Sequence, residues 1–166
     1  MINNGTAYQT TAAFYSALVV NAALQGGGRV IDVTPDAQMP VYAIYRDGRP
    51  TRAVIISYTS DPTFATNSTV TIYVASKPCS ATIQRLIAPT VTEQRNITWA
   101  GLTWANSTTG LPSGTEISET ALCDAIGACP VFLPPQSVAL VSFDYHPVNN
   151  SSASDRVGAQ MLAPAL

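Results

Sequence analysis

From residue 29 onward the chain alternates short runs of Val, Ile, Tyr and Thr with turn residues. The clearest case is residues 41–58, where Val41-Tyr-Ala-Ile-Tyr45 and Ala53-Val-Ile-Ile56 flank Asp47-Gly48. An Asp-Gly pair accepts positive φ at both central positions of a tight type I′ turn, so this stretch predicts a β-hairpin. Pro50 has no N–H for a ladder and belongs at the start of its strand or on an edge. Residues 53–56 are apolar on both faces, which puts the second arm in the middle of the fold. Further strands are predicted at 29–34, 69–75 and 81–88, with short closing strands at 131–133 and 137–143 split by Pro134-Pro135. In the 69–75 run, Val70, Ile72 and Val74 alternate with polar partners, so one face is buried and one is wet. Strands at this spacing predict an all-β fold, an antiparallel β-sandwich of about seven to nine strands.

Residues 10–25 break that rhythm. Ala13, Ala17, Val20 and Leu24 follow helical spacing, and so do Phe14, Leu18 and Asn21. Thr10 or Thr11 can serve as N-cap, and Gly26-Gly27-Gly28 ends the helix. A surface helix needs one apolar stripe; this one is apolar over most of its girth and wants cover on two sides. Either the Phe14/Leu18 row or the Ala13/Ala17/Leu24 row is left over once one face meets the sandwich.

The stretch 96–104, Asn-Ile-Thr-Trp-Ala-Gly-Leu-Thr-Trp, is the most distinctive. Ile97 and Trp99 share a face by alternation, and a bulge at Gly101 would bring Leu102 and Trp104 onto it. Two readings follow. Trp99 and Trp104 form an aromatic platform that stacks on sugar rings, or they are core or interface side chains, as Trp usually is.

Composition narrows the function. Hydrophobic residues make up 46% of the 166 residues and charged ones only 11%, with a net charge of -2. No basic surface is available for nucleic acid or an anionic membrane. The longest apolar stretch falls far short of the ~20 residues of a transmembrane helix. Six of the eight Asn residues, Asn4, Asn67, Asn96, Asn106, Asn149 and Asn150, stand in Asn-X-Ser/Thr sequons. Chance would give roughly two, so the set points to a secreted, extracellular glycoprotein. Met1-Ile-Asn-Asn4 has neither the basic start nor the apolar core of a signal peptide, so a piece of a longer secreted protein, or a truncated reading of its gene, is expected. Cys123 and Cys129 enclose five residues that include Gly127, and in an oxidising compartment they are disulfide candidates. Cys79 is left over. Three scattered Cys and one His146 do not make a zinc site, and no cofactor is expected.

No catalytic constellation appears. Glycosidase chemistry needs two carboxyls held about 5 to 10 Å apart across a cleft. The carboxylates here fall mostly in predicted turns. Glu116 and Glu119 are near each other but flank a loop, where solvated turn acids are expected. The triple glycine follows a helix, whereas phosphate loops precede one.

The order of motifs resembles the C-terminal β-domain of glycoside hydrolase family 79, the fungal β-glucuronidases and their heparanase relatives. The resemblance runs from Ala12-Ala-Phe-Tyr-Ser-Ala-Leu18 through the 41–58 hairpin and Ile83-Gln-Arg-Leu-Ile-Ala-Pro89 to Trp99-Ala-Gly101 and Val138-Ala-Leu-Val141. In that family a (β/α)8 barrel carries two catalytic Glu residues, and the sandwich packs against its side. The resemblance implies that residues 1–27 hold the barrel's last helix and a linker, 28–144 the sandwich, and 145–166 an irregular tail. No residue matches the barrel's catalytic motifs, so no catalytic role transfers, and the expected partner is the barrel itself. A free carbohydrate-binding module and a secreted structural sandwich are the alternatives. An exposed rigid aromatic face would favour the module; a bare apolar patch would favour the accessory domain.

Overall fold

The computed structural model describes residues 2–3, 8–35, 39–58, 68–78, 80–90 and 92–145. Cys79, Asn4, Asn67, His146, Asn149 and Asn150 lie outside these, as does the rest of the expected tail. The described strands all pair antiparallel, and one helix accompanies them.

β1 (Ile2–Asn3) and β2 (Tyr8–Gln9) form a small ladder before α1 (Ala12–Leu24). β3 (Arg29–Asp32), β4 (Val41–Arg46) and β5 (Arg49–Ile56) follow, then β6 (Ser68–Tyr73) and β7 (Ser80–Ile87). Four short strands come next: β8 (Thr98–Trp99), β9 (Leu102–Thr103), β10 (Ser113–Gly114) and β11 (Glu119–Leu122). β12 (Ala128–Leu133) and β13 (Ser137–Asp144) complete the order. The main sheet has nine strands, β10-β9-β8-β7-β13-β5-β4-β3, with β11 added beside β7. β6 and β12 form a second, two-stranded sheet.

The 41–58 hairpin closes as its sequence dictates, with Asp47 at φ 51° and Gly48 at φ 78°. β5 lies between β4 and β13, inside the sheet. Its two apolar faces serve two layers. Ala53 and Ile55 point into the sandwich core with Ala139, Val141 and Phe143 of β13 and Ala81 and Ile83 of β7. The β6–β12 pair covers that core with Val74, Cys129, Val131 and Leu133. Val54 packs on the opposite side with Ile44, Leu86, Val138 and Leu140, under α1. The helix therefore lies outside the sandwich, on the back of its main sheet.

Two elements depart from their sequence reading. The 137–143 run is the last described strand, as expected, but it lies at the centre and not the margin of the sheet: β13 sits between β5 and β7, paired along both edges. Ala139 and Val141 fill one face and Val138 and Leu140 the other, so the run is apolar throughout because both its faces are covered. The 96–104 stretch is no bulged strand. β8 and β9 form a hairpin in which Trp99 opposes Leu102. Ala100 and Gly101, at φ 48° and 79°, make its two-residue turn. A Cβ on Gly101 would come within 2.3 Å of the Thr115 carbonyl oxygen, so β10's approach demands glycine there.

Candidate docking face and the residues around it

α1 buries one narrow stripe. Tyr15, Val19 and Ala23, spaced four apart, are 1%, 5% and 4% exposed. Tyr15 anchors the stripe: its hydroxyl accepts the Trp104 N–H at 2.9 Å and shares a hydrogen bond with the Thr103 hydroxyl at 3.1 Å. Thr11 precedes the first turn without a side-chain cap bond. At the other end Arg52 of β5 donates to the carbonyls of Gln25 at 2.6 Å and Ala23 at 3.3 Å. That cation satisfies orphan carbonyls at the negative end of the helix dipole.

The two flanks of α1 differ. On the β8–β9 side Phe14 and Leu18 are half-buried. Phe14 meets the Trp104 ring edge-on at 5.5 Å and Tyr15 meets it at 6.0 Å. On the other flank the helix covers Ile44 of β4 but leaves the sheet beyond it towards β3 bare. An open groove of about 270 Å³ runs there, lined by Val20, Leu24, Val30, Tyr42, Val54 and Ile56 among others. Val20 is 55% exposed, Leu24 41% and Val30 49%. Of the two helix rows, Ala13/Ala17/Leu24 is the one left in solvent. A second depression of about 300 Å³ lies past the N-terminal half of α1, bordered by Tyr15, Ser16, Tyr58, Glu93 and Gln136.

The aromatic pair does not form a platform. Trp99 is 8% exposed, enclosed with Tyr15, Ile97 and Ala100, so its face is closed to a sugar ring. Trp104 is half-buried beside Phe14. Both Trp side chains fasten the β8–β9 hairpin to α1.

Most of the described carboxylates are engaged in local structure. Glu93 Oε1 accepts the N–H groups of Gln94, Arg95 and Asn96 at 2.9, 2.9 and 3.3 Å. Those donors, Arg95 foremost, hold its carboxyl below the usual range. Asp32 is lowered likewise by the Thr34 hydroxyl and N–H. Asp124 caps the turn inside the Cys loop, accepting from Ile126 N–H at 3.0 Å and Ala128 N–H at 2.8 Å. That turn brings the Cys123 and Cys129 Cα atoms to 4.2 Å, and the structure joins the two as a disulfide. Glu116 accepts only a long 3.4 Å bond from Gln84. Of these carboxylates, Glu93 alone borders either cavity.

Glu119 is not the solvated turn acid its sequence suggests. It lies on β11, a strand the sequence did not announce, and takes a forked ion pair from Arg85, Nε at 2.7 Å and Nη2 at 2.8 Å. Hydrogen bonding from Arg85 lowers its carboxyl below the usual range, against a smaller opposing effect of burial. Arg85 is 6% exposed, and its Nη1 has no hydrogen-bond partner among the described residues. A charge on the inward phase of the alternation, after Ala81 and Ile83, was the available signal.

Among the described residues no helix is long and apolar enough to cross a membrane, and no three His, Cys, Asp or Glu side chains gather as a metal site. What the described residues offer is an apolar face along α1.

Comparison with known proteins agrees with the layout. No curated protein sequence matches the chain. Among solved structures, a 4-O-α-L-rhamnosyl-β-D-glucuronidase from Fusarium oxysporum superposes with a TM-score of 0.70 at 24% identity, over 82% of this chain. The chain spans 30% of that enzyme's length. Two other enzymes superpose loosely, each with a TM-score of 0.41 at 18% identity: a bifunctional glucanase-xylanase from a metagenome library, over 69% of this chain and 18% of its own, and the α-L-arabinofuranosidase of Thermotoga petrophila, over 64% and 18%. The model of the glycosyl hydrolase family 79 C-terminal beta domain matches residues 41–140, from the first strand of the central hairpin to the middle of β13, and the chain belongs to that family.

Proposed function

We propose that this chain is the non-catalytic accessory β-domain of a secreted β-glucuronidase-like glycosidase, and that it supports the folding of a catalytic (β/α)8 barrel by docking to it. On this reading residues 1–27 belong with the barrel, and α1 is its last helix, left on the sandwich. The groove along α1 carries the proposal. An apolar helix that buries one stripe and leaves Val20 and Leu24, with Val30 of β3, facing an open groove is half of an interface. Fully burying a Val or Leu side chain contributes about 1.5–3 kcal/mol, so a partner that fills the groove gains from each partly exposed one. The buried Trp99 weighs against a free carbohydrate-binding module. The sequons and the Cys123–Cys129 disulfide support an oxidising, secretory setting.

The test is binding in trans. A family 79 barrel freed of its own C-terminal domain is titrated with this chain and followed by sedimentation and by hydrolysis of an aryl β-glucuronide. The chain alone is expected to hydrolyse nothing. The barrel is expected to form a one-to-one complex and to gain solubility. A chain that leaves the barrel unbound, or that turns over substrate by itself and loses this activity in Glu116→Gln or Glu119→Gln, contradicts the reading.

A further inference from the structure

We propose that Asn106 carries an N-linked glycan, and that this glycan marks the flank of α1 that stays in solvent while a partner enters from the other. The inference rests on the secretory part of the reading above.

Two of the six sequons fall on described residues, Asn96 and Asn106, and both Asn side chains are exposed. They differ in what the amide does. Asn96 Nδ2 donates to Glu93 Oε2 at 3.4 Å, and its own N–H donates to Oε1. Ile97 next to it is 3% exposed, and Thr98 opens β8. That sequon is built into the root of the hairpin.

Asn106 is exposed at the rim of a small depression it shares with Thr10 and Arg95, and it is not tied down in this way. Its side chain has no hydrogen-bond partner among the described residues. It occupies a left-handed position, φ 61°, in a turn closed by the Ser107 N–H on the Trp104 carbonyl at 3.2 Å. Asn tolerates that conformation, so the turn alone accounts for an Asn. It does not call for Thr108, exposed two residues on, whose hydroxyl completes the acceptor sequon.

The flank follows from the sheet order. Asn106 is two residues past Trp104, which packs on Phe14 at the β8–β9 end. The groove faces β3 and β4, at the other end of the sheet. A bulky hydrophilic glycan on Asn106 therefore leaves the groove open and keeps the β8–β10 end wet. In the transfer, Asn106 Nδ2 attacks the anomeric carbon of an oligosaccharide carried on a lipid diphosphate. The nitrogen–carbon bond forms, the bond from that carbon to the diphosphate oxygen breaks, the lipid diphosphate leaves, and the amide proton passes to a base of the transferase.

The full chain is routed through a yeast secretory pathway behind a leader peptide, then treated with peptide N-glycosidase in heavy-oxygen water and mapped by mass. The peptide holding Asn106 is expected to carry the label in most molecules. Thr108→Ala should abolish that label with the loss of one glycan's mass, and Thr108→Ser should keep it. An unlabelled Asn106 peptide, whatever the state of the other sequons, overturns the site. Barrel binding is then compared before and after glycan removal, and equal affinity is expected. Binding that returns only after removal overturns the flank assignment. No binding in either form, with Asn106 labelled, upholds the site and counts against the docking reading.

Discussion

Arg85 carries a guanidinium that is 6% exposed, and the Glu119 carboxylate is what balances its charge. In the sequence it is one cation in a β run, Ile83-Gln-Arg-Leu-Ile87. In the fold it sits at the end of the sandwich interior, forked onto Glu119 and 5.9 Å from the Phe132 ring. Its partner lies 34 residues away, a separation that no local pattern encodes. Glu119→Ala leaves a buried guanidinium short of acceptors, and about 1–3 kcal/mol of destabilisation is expected from such a loss. The lower end fits, because Glu119 is 48% exposed and water replaces part of what is removed. Urea unfolding of the variant measures it; an unchanged midpoint would show that the pair contributes nothing. The pH dependence has a fixed sign. Glu119's folded pKa lies below its unfolded one, so its contribution is complete above the unfolded value and drains away as pH falls through the folded one. Asp32 and Glu93 shift the same way. Stability should be flat above about pH 5 and fall below the usual Glu range near 4.3. The gap between wild type and Glu119→Gln should close over that acid window, and a gap that widens there would reverse the sign.

At the scale of elements, what the chain announces locally is what came out as expected. The Asp47-Gly48 turn, the Val70/Ile72/Val74 alternation and the triple glycine after α1 each depend on residues a few positions apart. β11 was not legible because it is exposed on three of four residues and gains its place only by pairing with residues 80–83 of β7. The 96–104 stretch is ambiguous in sequence because a glycine between two apolar pairs suits a bulge and a tight turn equally. What decides is Ala100, which takes φ 48°, a conformation an Ala seldom adopts. Here tertiary packing holds it: its N–H donates to the Arg85 carbonyl and its carbonyl accepts the Ile117 N–H, both at 2.8 Å. Two glycine variants separate backbone strain from contact. Gly110→Ala meets open space at φ 78° and should cost about 1–2 kcal/mol, from the left-handed backbone alone. Gly101→Ala meets the same strain plus the Thr115 carbonyl oxygen, and should cost at least 2 kcal/mol more, by about the scale of an overpacked site. Thermal unfolding of both variants checks this; equal losses would mean that β10 gives way without cost.

For the whole molecule the question is why a helix so apolar stands at the surface. The sequence posed it, since both the Phe14/Leu18 row and the Ala13/Ala17/Leu24 row invite cover. The stripe the sheet takes is neither row but Tyr15, Val19 and Ala23, and which row follows it into cover depends on what lies across from the helix, which no local pattern encodes. Trp104 decides it, drawing the Phe14/Leu18 flank towards the β8–β9 hairpin. Phe14→Ser and Leu18→Gln should accordingly destabilise the domain, while Val20→Glu with Leu24→Glu should leave thermal stability nearly unchanged. The exposed flank is what supports the proposal that the groove beside β3 is an interface waiting for its other half. Sedimentation velocity of the full chain across a concentration series tests it most directly, run beside the Val20→Glu/Leu24→Glu variant. Reversible self-association of the wild type is expected as concentration rises, through bare apolar faces meeting each other, and a monomer at every concentration for the variant. A wild-type chain that stays monomeric at high concentration, with α1 intact, would contradict it.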